Sequence, residues 1–337
     1  MGIKVRKSIS NLQTYNVGGR SDLSSDWECF DWNESEFPPT NKVFEVMKSF
    51  YRYERYPDIT AKQLKNKLSE YVSLPVDFIE VYNGSDDALK DIITVFVDKD
   101  TKVLSYQPSY TQVNTFITTN TEHYEKVNIQ DPLGEHYFDF SYCKSADVVY
   151  LVNPNNPTGK LLPVKEIETL VKTYPNTLFI VDEAYYEFAK QSCTHLVVSH
   201  KNLVVTRTFS KAFGLASVRL GYCMAHPDTL SDVRKIRNGK AVNALGQLCG
   251  IAALDDLDYL QSRIDEMNDA KKFFIDNLPN YYHAIDSDAN FVLVKTPDSK
   301  KVLDKMKENK ILIRDRSAFD NLENCVRITI GSKKQII

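Results

Sequence analysis

The sequence predicts an α/β protein with a mainly parallel β-sheet in a large domain, followed by a smaller α+β domain. Two observations predict it. Short apolar runs bounded by turn signals recur at residues 102–106, 148–152, 178–182, 203–206 and 220–225. Continuous Val/Ile/Leu runs of this kind suit strands buried on both faces, as parallel sheets require. Past residue 240 the texture changes: residues 243–278 read as helical, 290–295 and 325–330 as strands, and 300–307 as a helix between them. A length of 337 residues suits two domains, and a 42% apolar content supplies their cores.

In chain order, the first ten residues are basic but lack an apolar core, so they do not read as a signal peptide. Residues 11–40 are turn-rich and carry both tryptophans, Trp27 and Trp32. This segment is expected to lie across both domains. Leu64, Leu68 and Tyr71 fall on one helical face. Residues 78–82 read as a strand and 86–97 as the helix after it. The expected division is therefore an N-terminal segment over 1–41, a large domain over 42–240 and a small domain over 241–337.

Composition narrows the function classes. The net charge is −3, with 42 basic and 45 acidic residues interspersed, so no basic field points to nucleic acid. No apolar run approaches the roughly 20 residues that span a bilayer. Six cysteines occur without a Cys-x-x-Cys pair, which reads as reduced thiols in a cytoplasmic protein. The six histidines are scattered and form no metal pattern. No Gly-x-Gly-x-x-Gly follows a strand, which disfavours a dinucleotide-binding fold.

Five segments, each at the end of an expected strand, carry the chemistry. Thr206 to Gly214 places Thr208, Ser210 and Lys211 in a polar turn, with Arg219 following. A lone lysine is usually a solvated surface residue, but this one sits where open α/β sheets bind ligands. Asp182 closes an apolar strand and needs a partner there, either a structural one or the protonated nitrogen of a bound ring. The Asn153 to Gly159 segment, with two Asn-Pro steps, makes a rigid turn that also fixes an amide side chain. Ser85 and Asp86 open a helix, serving either as a simple cap or as an anion site. Tyr110, after Pro108-Ser109, either packs or stacks on a ligand.

Taken together and in this order, these segments resemble the fold-type I class I/II aminotransferases over about residues 15–331. Ser210-Lys211 with Arg219, Asn-Pro-Thr-Gly at 156–159 and Asp-Glu-Ala-Tyr at 182–185 are motifs of that family. The nearest group is that of the histidinol-phosphate aminotransferases. Five segments support it: Trp32 to Pro38, Arg55 to Asp58, Ser287 to Phe291, Ile313 to Asp315 and Val326 to Gly331.

The resemblance implies a seven-stranded sheet in the large domain and pyridoxal 5'-phosphate (PLP) as cofactor. Lys211 would carry the cofactor as a Schiff base and later shuttle a proton. Asp182 would pair with the ring nitrogen, Tyr185 and Asn156 would bond the phenolic oxygen, and Tyr110 would cover the ring. Ser85, Asp86, Thr208, Ser210 and Arg219 would hold the phosphate, joined by Tyr56 from the second subunit of a homodimer. Arg327, supported by Arg314, would bind the anionic group of the substrate, and Tyr15 would lie over it. For Arg314 a surface ion pair with Asp315 or Asp320 is an equal expectation.

The implied reaction is transamination between histidinol phosphate and 2-oxoglutarate. Decarboxylation of a phosphorylated amino acid of the threonine-phosphate type, or transamination of another biosynthetic amine, remains open. The sequence departs from the family at residues 16–32 and at its end. It stops at Ile337, six residues after Gly331, where the family continues into a closing helix.

Overall fold

The computed structural model describes residues 3–10, 12 and 26–336. Seven strands form one sheet: β1 Ile79–Tyr82, β2 Val103–Gln107, β3 Tyr124–Asn128, β4 Val148–Val152, β5 Leu178–Asp182, β6 Leu203–Thr208 and β7 Gly221–Ala225. Their spatial order is β1-β7-β6-β5-β4-β2-β3. Only β7 runs antiparallel to its neighbours. The sheet is therefore mainly parallel and seven-stranded, as expected.

The physical reason for the continuous apolar runs is visible in β4. Val149 and Leu151 enter the core on one face, whereas Val148, Tyr150 and Val152 enter the core on the other. With both faces covered, alternation of apolar and polar residues has no role. Tyr124–Asn128 was not foreseen as a strand. It lies at the sheet edge with three of its five residues exposed, so it needs no apolar run.

A second, antiparallel sheet holds β8 His283–Ile285, β9 Phe291–Lys295, β10 Arg314–Asp315 and β11 Cys325–Thr329, in the order β10-β11-β9-β8. Helix Ser299–Glu308 connects β9 to this sheet's far edge. The stretch from residue 26 ties in by pairing Glu28–Cys29 with Ile311–Leu312. Phe30 then enters the core beside the second sheet. The core under the large sheet runs past residue 240, because Cys249, Ala252, Ala253 and Leu254 of helix Ala244–Leu254 belong to it.

What positions the site is the register. Val152 lies beside Asp182, and Asp182 beside Thr206. β4 and β5 thus finish level while β6 runs two residues further, and the turns that follow them converge at one edge, where open parallel sheets gather ligands.

Candidate active site

Asp182 ends β5 with its carboxylate buried. Its Oδ2 accepts from the Tyr150 hydroxyl at 3.0 Å and its Oδ1 from the Thr206 hydroxyl at 3.1 Å. Burial pushes its pKa up to about 6, against the pull of these two hydroxyls and with repulsion from Asp86. The next residue, Glu183, binds Arg207 through Nε at 3.0 Å and Nη2 at 2.9 Å, and both side chains are fully buried. The Arg207 guanidinium also lies over the Tyr186 ring at 3.3 Å. This pair clamps the turn after β5 to the end of β6, which leads into the turn that follows it.

The turn after β6 presents Lys211. Its side chain lines the central cavity, and Nζ donates to the Trp32 carbonyl at 2.8 Å. Burial first, then the charge of Arg327, lowers its pKa to about 8, opposed by Glu34 and Asp86. The amine is thereby drawn toward the neutral, nucleophilic form.

An anion cradle adjoins it. Helix Ser85–Phe96 begins after Gly84, whose φ of 87° only glycine adopts readily. A Cβ on Gly84 would stand 2.7 Å from Arg219 Nη2, and one on Gly221 would stand 2.4 Å from the Ser85 nitrogen. Two glycines therefore let Arg219 and the helix N-terminus come together. Arg219 Nη1 donates to the Ala216 carbonyl at 3.1 Å and stands 3.5 Å from Ser210 Oγ. Thr208 Oγ1 receives the Ser210 amide at 3.0 Å. The Tyr110 hydroxyl donates to Asp86 at 2.9 Å, which sets its ring over the cavity.

The turn after β4 is braced by its own amides: the Asn153 side chain exchanges bonds with Leu162 at 3.0 and 2.7 Å. Asn156 is thereby held with Nδ2 at 3.3 Å from the Tyr185 hydroxyl and Oδ1 receiving Arg327 Nη1 at 2.7 Å. Arg327, buried in β11, also donates to the Asp31 carbonyl and stands over Phe291 at 5.4 Å. Arg314 is its direct cross-strand partner in β10.

One cavity of about 510 Å³ unites these groups. From the large sheet come Ser85, Asp86, Tyr110, Asn156, Asp182 and Tyr185, together with Thr208, Ser210, Lys211 and Arg219. The second sheet adds Arg314 and Arg327. Residues 23–336 match the family described as aminotransferase class I and II. The chain belongs to the class I and II aminotransferases.

Relatives agree. A dihydroxyacetone phosphate transaminase of Campylobacter jejuni is 37% identical over 320 residues, covering 91% of this chain and 86% of the relative. A histidinol-phosphate aminotransferase of Geotalea daltonii is 30% identical over 339 residues, covering 99% and 96%. The crystal structure of histidinol-phosphate aminotransferase from Sinorhizobium meliloti with pyridoxal-5'-phosphate superposes with a TM-score of 0.83 at 25% identity, covering 92% of this chain and 88% of that one.

This aminotransferase is a PLP-dependent transaminase of fold type I, and its cavity fits the cofactor. The glycine-lined cradle suits a phosphate, the buried carboxylate at the end of β5 suits a ring cation, and the lysine amine stands in the same cavity. One expected site residue is not among those lining it. Tyr56 is 78% exposed, with the Lys240 ammonium 4.7 Å above its ring. Tyr15 lies outside the described residues. Arg314 lines the cavity; Asp315 accepts the Ser317 amide, and Asp320 accepts from Asn128.

Sequence reasoning missed Asn33, Trp32 and Arg316. Asn33 is almost fully buried at a φ of 54°. It donates through Nδ2 to the Tyr185 hydroxyl at 2.9 Å, while its amide donates to Thr329 Oγ1 at 3.0 Å. The segment around it was noticed as a family feature, but only the long-range contact with Thr329 shows why a left-handed asparagine stands there. Arg316 lies two residues beyond Arg314, a spacing that would have flagged it had the strand been foreseen.

Proposed function

We propose that this enzyme transaminates a phosphate ester whose amino-bearing carbon adjoins the phosphorylated carbon. Histidinol phosphate is the substrate and 2-oxoglutarate the acceptor, giving imidazole acetol phosphate and glutamate. The observation that carries the reading is a second anion site in the cavity. Besides the cradle of the large sheet, which the cofactor phosphate takes, Arg314, Arg316 and Arg327 line it from the other sheet. One specific observation favours a second substrate, the 37% identity to a dihydroxyacetone phosphate transaminase. Dihydroxyacetone phosphate and imidazole acetol phosphate share a ketone beside a CH2–O–phosphate group, so the same site suits both.

When bound, PLP supplies the electron sink that makes the substrate Cα–H acidic. Lys211 would hold the cofactor, and its amine would carry the proton taken from the substrate Cα. Asp182 keeps a proton on the ring nitrogen. Tyr185 and Asn156 donate to the phenolic oxygen, and Tyr110 covers the ring. The Ser85 and Asp86 amides, Thr208, Ser210 and Arg219 grip the phosphate. Arg327 and Arg314 bind the phosphate ester in one half-reaction and a glutamate carboxylate in the other. Tyr15 over the substrate is part of the same proposal.

The active species in this proposal is a homodimer in which Tyr56 reaches the partner's cofactor phosphate. Its support is the exposure of Tyr51, Tyr53 and Tyr56 at 77, 70 and 78% on one short segment, an unusual density of bare aromatic surface. The six free cysteines, five of them buried, suit a reducing cytoplasm. Among the described residues no helix is long and apolar enough to cross a membrane. The two bodies divide within helix Leu257–Asp276, whose Leu260 and Ile264 join the core of the large sheet and whose Met267 and Ala270 join that of the small one.

The test is the absorbance of the purified holoenzyme. Conversion to the amine form by both L-glutamate and histidinol phosphate supports the reading. Conversion by glutamate alone, followed by return of the starting band with dihydroxyacetone phosphate, selects the second substrate. Glutamate conversion with response to neither phosphate ester refutes both.

A further inference from the structure

Arg316 has no counterpart among the roles above. In the β10–β11 ladder Arg314 lies opposite Arg327 and Asp315 opposite Val326, and the Arg316 amide extends the pairing to the Cys325 carbonyl at 2.9 Å. Side chains alternate along an extended strand. Arg314 and Arg316 therefore share the face of Arg327, whereas Asp315 is exposed on the other and accepts the Ser317 amide. Arg316 is half-buried, its guanidinium 5.9 Å over the Phe319 ring, and it lines the cavity with the other two arginines. Its charge reaches the Tyr185 hydroxyl, which it favours in the ionised form.

We propose that Arg316 is the residue that makes this anion site prefer a phosphate dianion over a carboxylate. The inference rests on the reading of the substrate as a phosphate ester. A carboxylate has two oxygens and one charge, and a single guanidinium fork matches it. Arg327 has five N–H donors in a fixed fork and already commits Nη1 to Asn156 and Nη2 to Asp31. That leaves it able to bind a carboxylate with modest help. A phosphate ester brings a third terminal oxygen and about −1.5 to −2 charges. The extra oxygen and charge call for a further fork, and Arg316 supplies it from the position next along the same face. Both substrates of a transaminase must use one site, so the added arginine raises the grip on phosphate more than that on glutamate.

The experiment uses holoenzyme, whose own phosphate site is filled, and inorganic phosphate as the probe. Phosphate is measured as a competitive inhibitor of the conversion by glutamate, in wild type, Arg316→Gln and Arg316→Lys. Loss of a charge-assisted hydrogen bond predicts an inhibition constant raised about tenfold in Arg316→Gln, with the glutamate KM raised several-fold less. Arg316→Lys recovers part of the loss because charge returns without the fork. In wild type, inhibition strengthens as phosphate loses its second proton, and in Arg316→Gln that pH dependence flattens. Retained cofactor absorbance establishes that each variant is folded. Should Arg316→Gln fail to load, Arg316→Lys carries the same comparison. An inhibition constant within twofold of wild type, or one that rises by the same factor as the glutamate KM, overturns the proposal. Failure of both phosphate esters as substrates would instead refute the proposed function while leaving this comparison readable.

Discussion

Loading of the cofactor onto Lys211 is expected to follow the lysine's own titration. The attacking form is the neutral amine, and its pKa is lowered to about 8 by burial and then by Arg327. At pH 7 about one tenth of such a lysine is neutral, against roughly three parts in ten thousand for one at its ordinary value of 10.5. The environment thus raises the reactive fraction by about 300-fold. The sign is fixed: lowering the pH protonates Lys211 and slows loading, about tenfold per unit below the midpoint, and raising it past the midpoint brings a plateau. Removing the repelling cation in Arg327→Gln moves the midpoint up, whereas removing the opposing carboxylate in Glu34→Gln moves it down. The assay mixes apoenzyme with PLP from pH 6 to 10 and follows the absorbance of the covalent form. A flat profile, a wild-type midpoint near the ordinary lysine value, or a downward shift in Arg327→Gln would refute the reasoning.

Four further outcomes are expected. Asn33→Ala deletes one of the two amides on the Tyr185 hydroxyl and costs about 1–3 kcal/mol of stability, read by denaturant unfolding of the holoenzyme; it also shifts the pH at which the bound cofactor changes colour. Asp182→Asn keeps the cofactor but lowers kcat by roughly a hundredfold or more, and near-normal turnover would show that the carboxylate does not hold the ring proton. Gly221→Ala drives a methyl against the Ser85 nitrogen and the Gly84 carbon, so cofactor affinity falls in equilibrium dialysis far more than the melting temperature does. Glu183→Ala strands the buried Arg207 charge and costs about 3–5 kcal/mol, and a change under 1 kcal/mol would mean that the pair is dispensable.

The parts of the protein legible in sequence are those where burial leaves a local mark. Strands β4 and β5 begin and end where their apolar runs do, because both faces of the central sheet are covered. The turns that follow them carry polar residues that a buried strand end would not otherwise tolerate, and Asp182, Lys211 and Arg219 stood out for that reason. Elements set by tertiary contact left no such mark. Tyr124–Asn128 is an edge strand, half of whose surface is open, and Arg314–Asp315 is too short for periodicity. Asn33 depends on Thr329, nearly the whole chain away, and Glu183 on Arg207 across two strands. Charged residues of this kind look like surface in a sequence and become core only when their partners are known.

The hydrogen bonding of Tyr185 shows why such distant partners matter to the chemistry. A phenolic oxygen accepts two hydrogen bonds and donates one. Here both acceptor positions are taken, by the amides of Asn33 at 2.9 Å and Asn156 at 3.3 Å. The hydroxyl's own proton is then available for a further partner, and the phenolic oxygen of a bound cofactor would be one. Burial favours the neutral hydroxyl, and the nearby Arg327 charge opposes it, so the group stays a donor while remaining sensitive to what binds Arg327. Asn156 joins the two, since its carbonyl oxygen receives Arg327 as its amide meets Tyr185. An anion drawn to Arg327 therefore competes with Asn156 for the same guanidinium. The residues involved come from the N-terminal segment, the turns after β4 and β5, and strand β11. Only a chain with both sheets assembled brings these partners together around Tyr185.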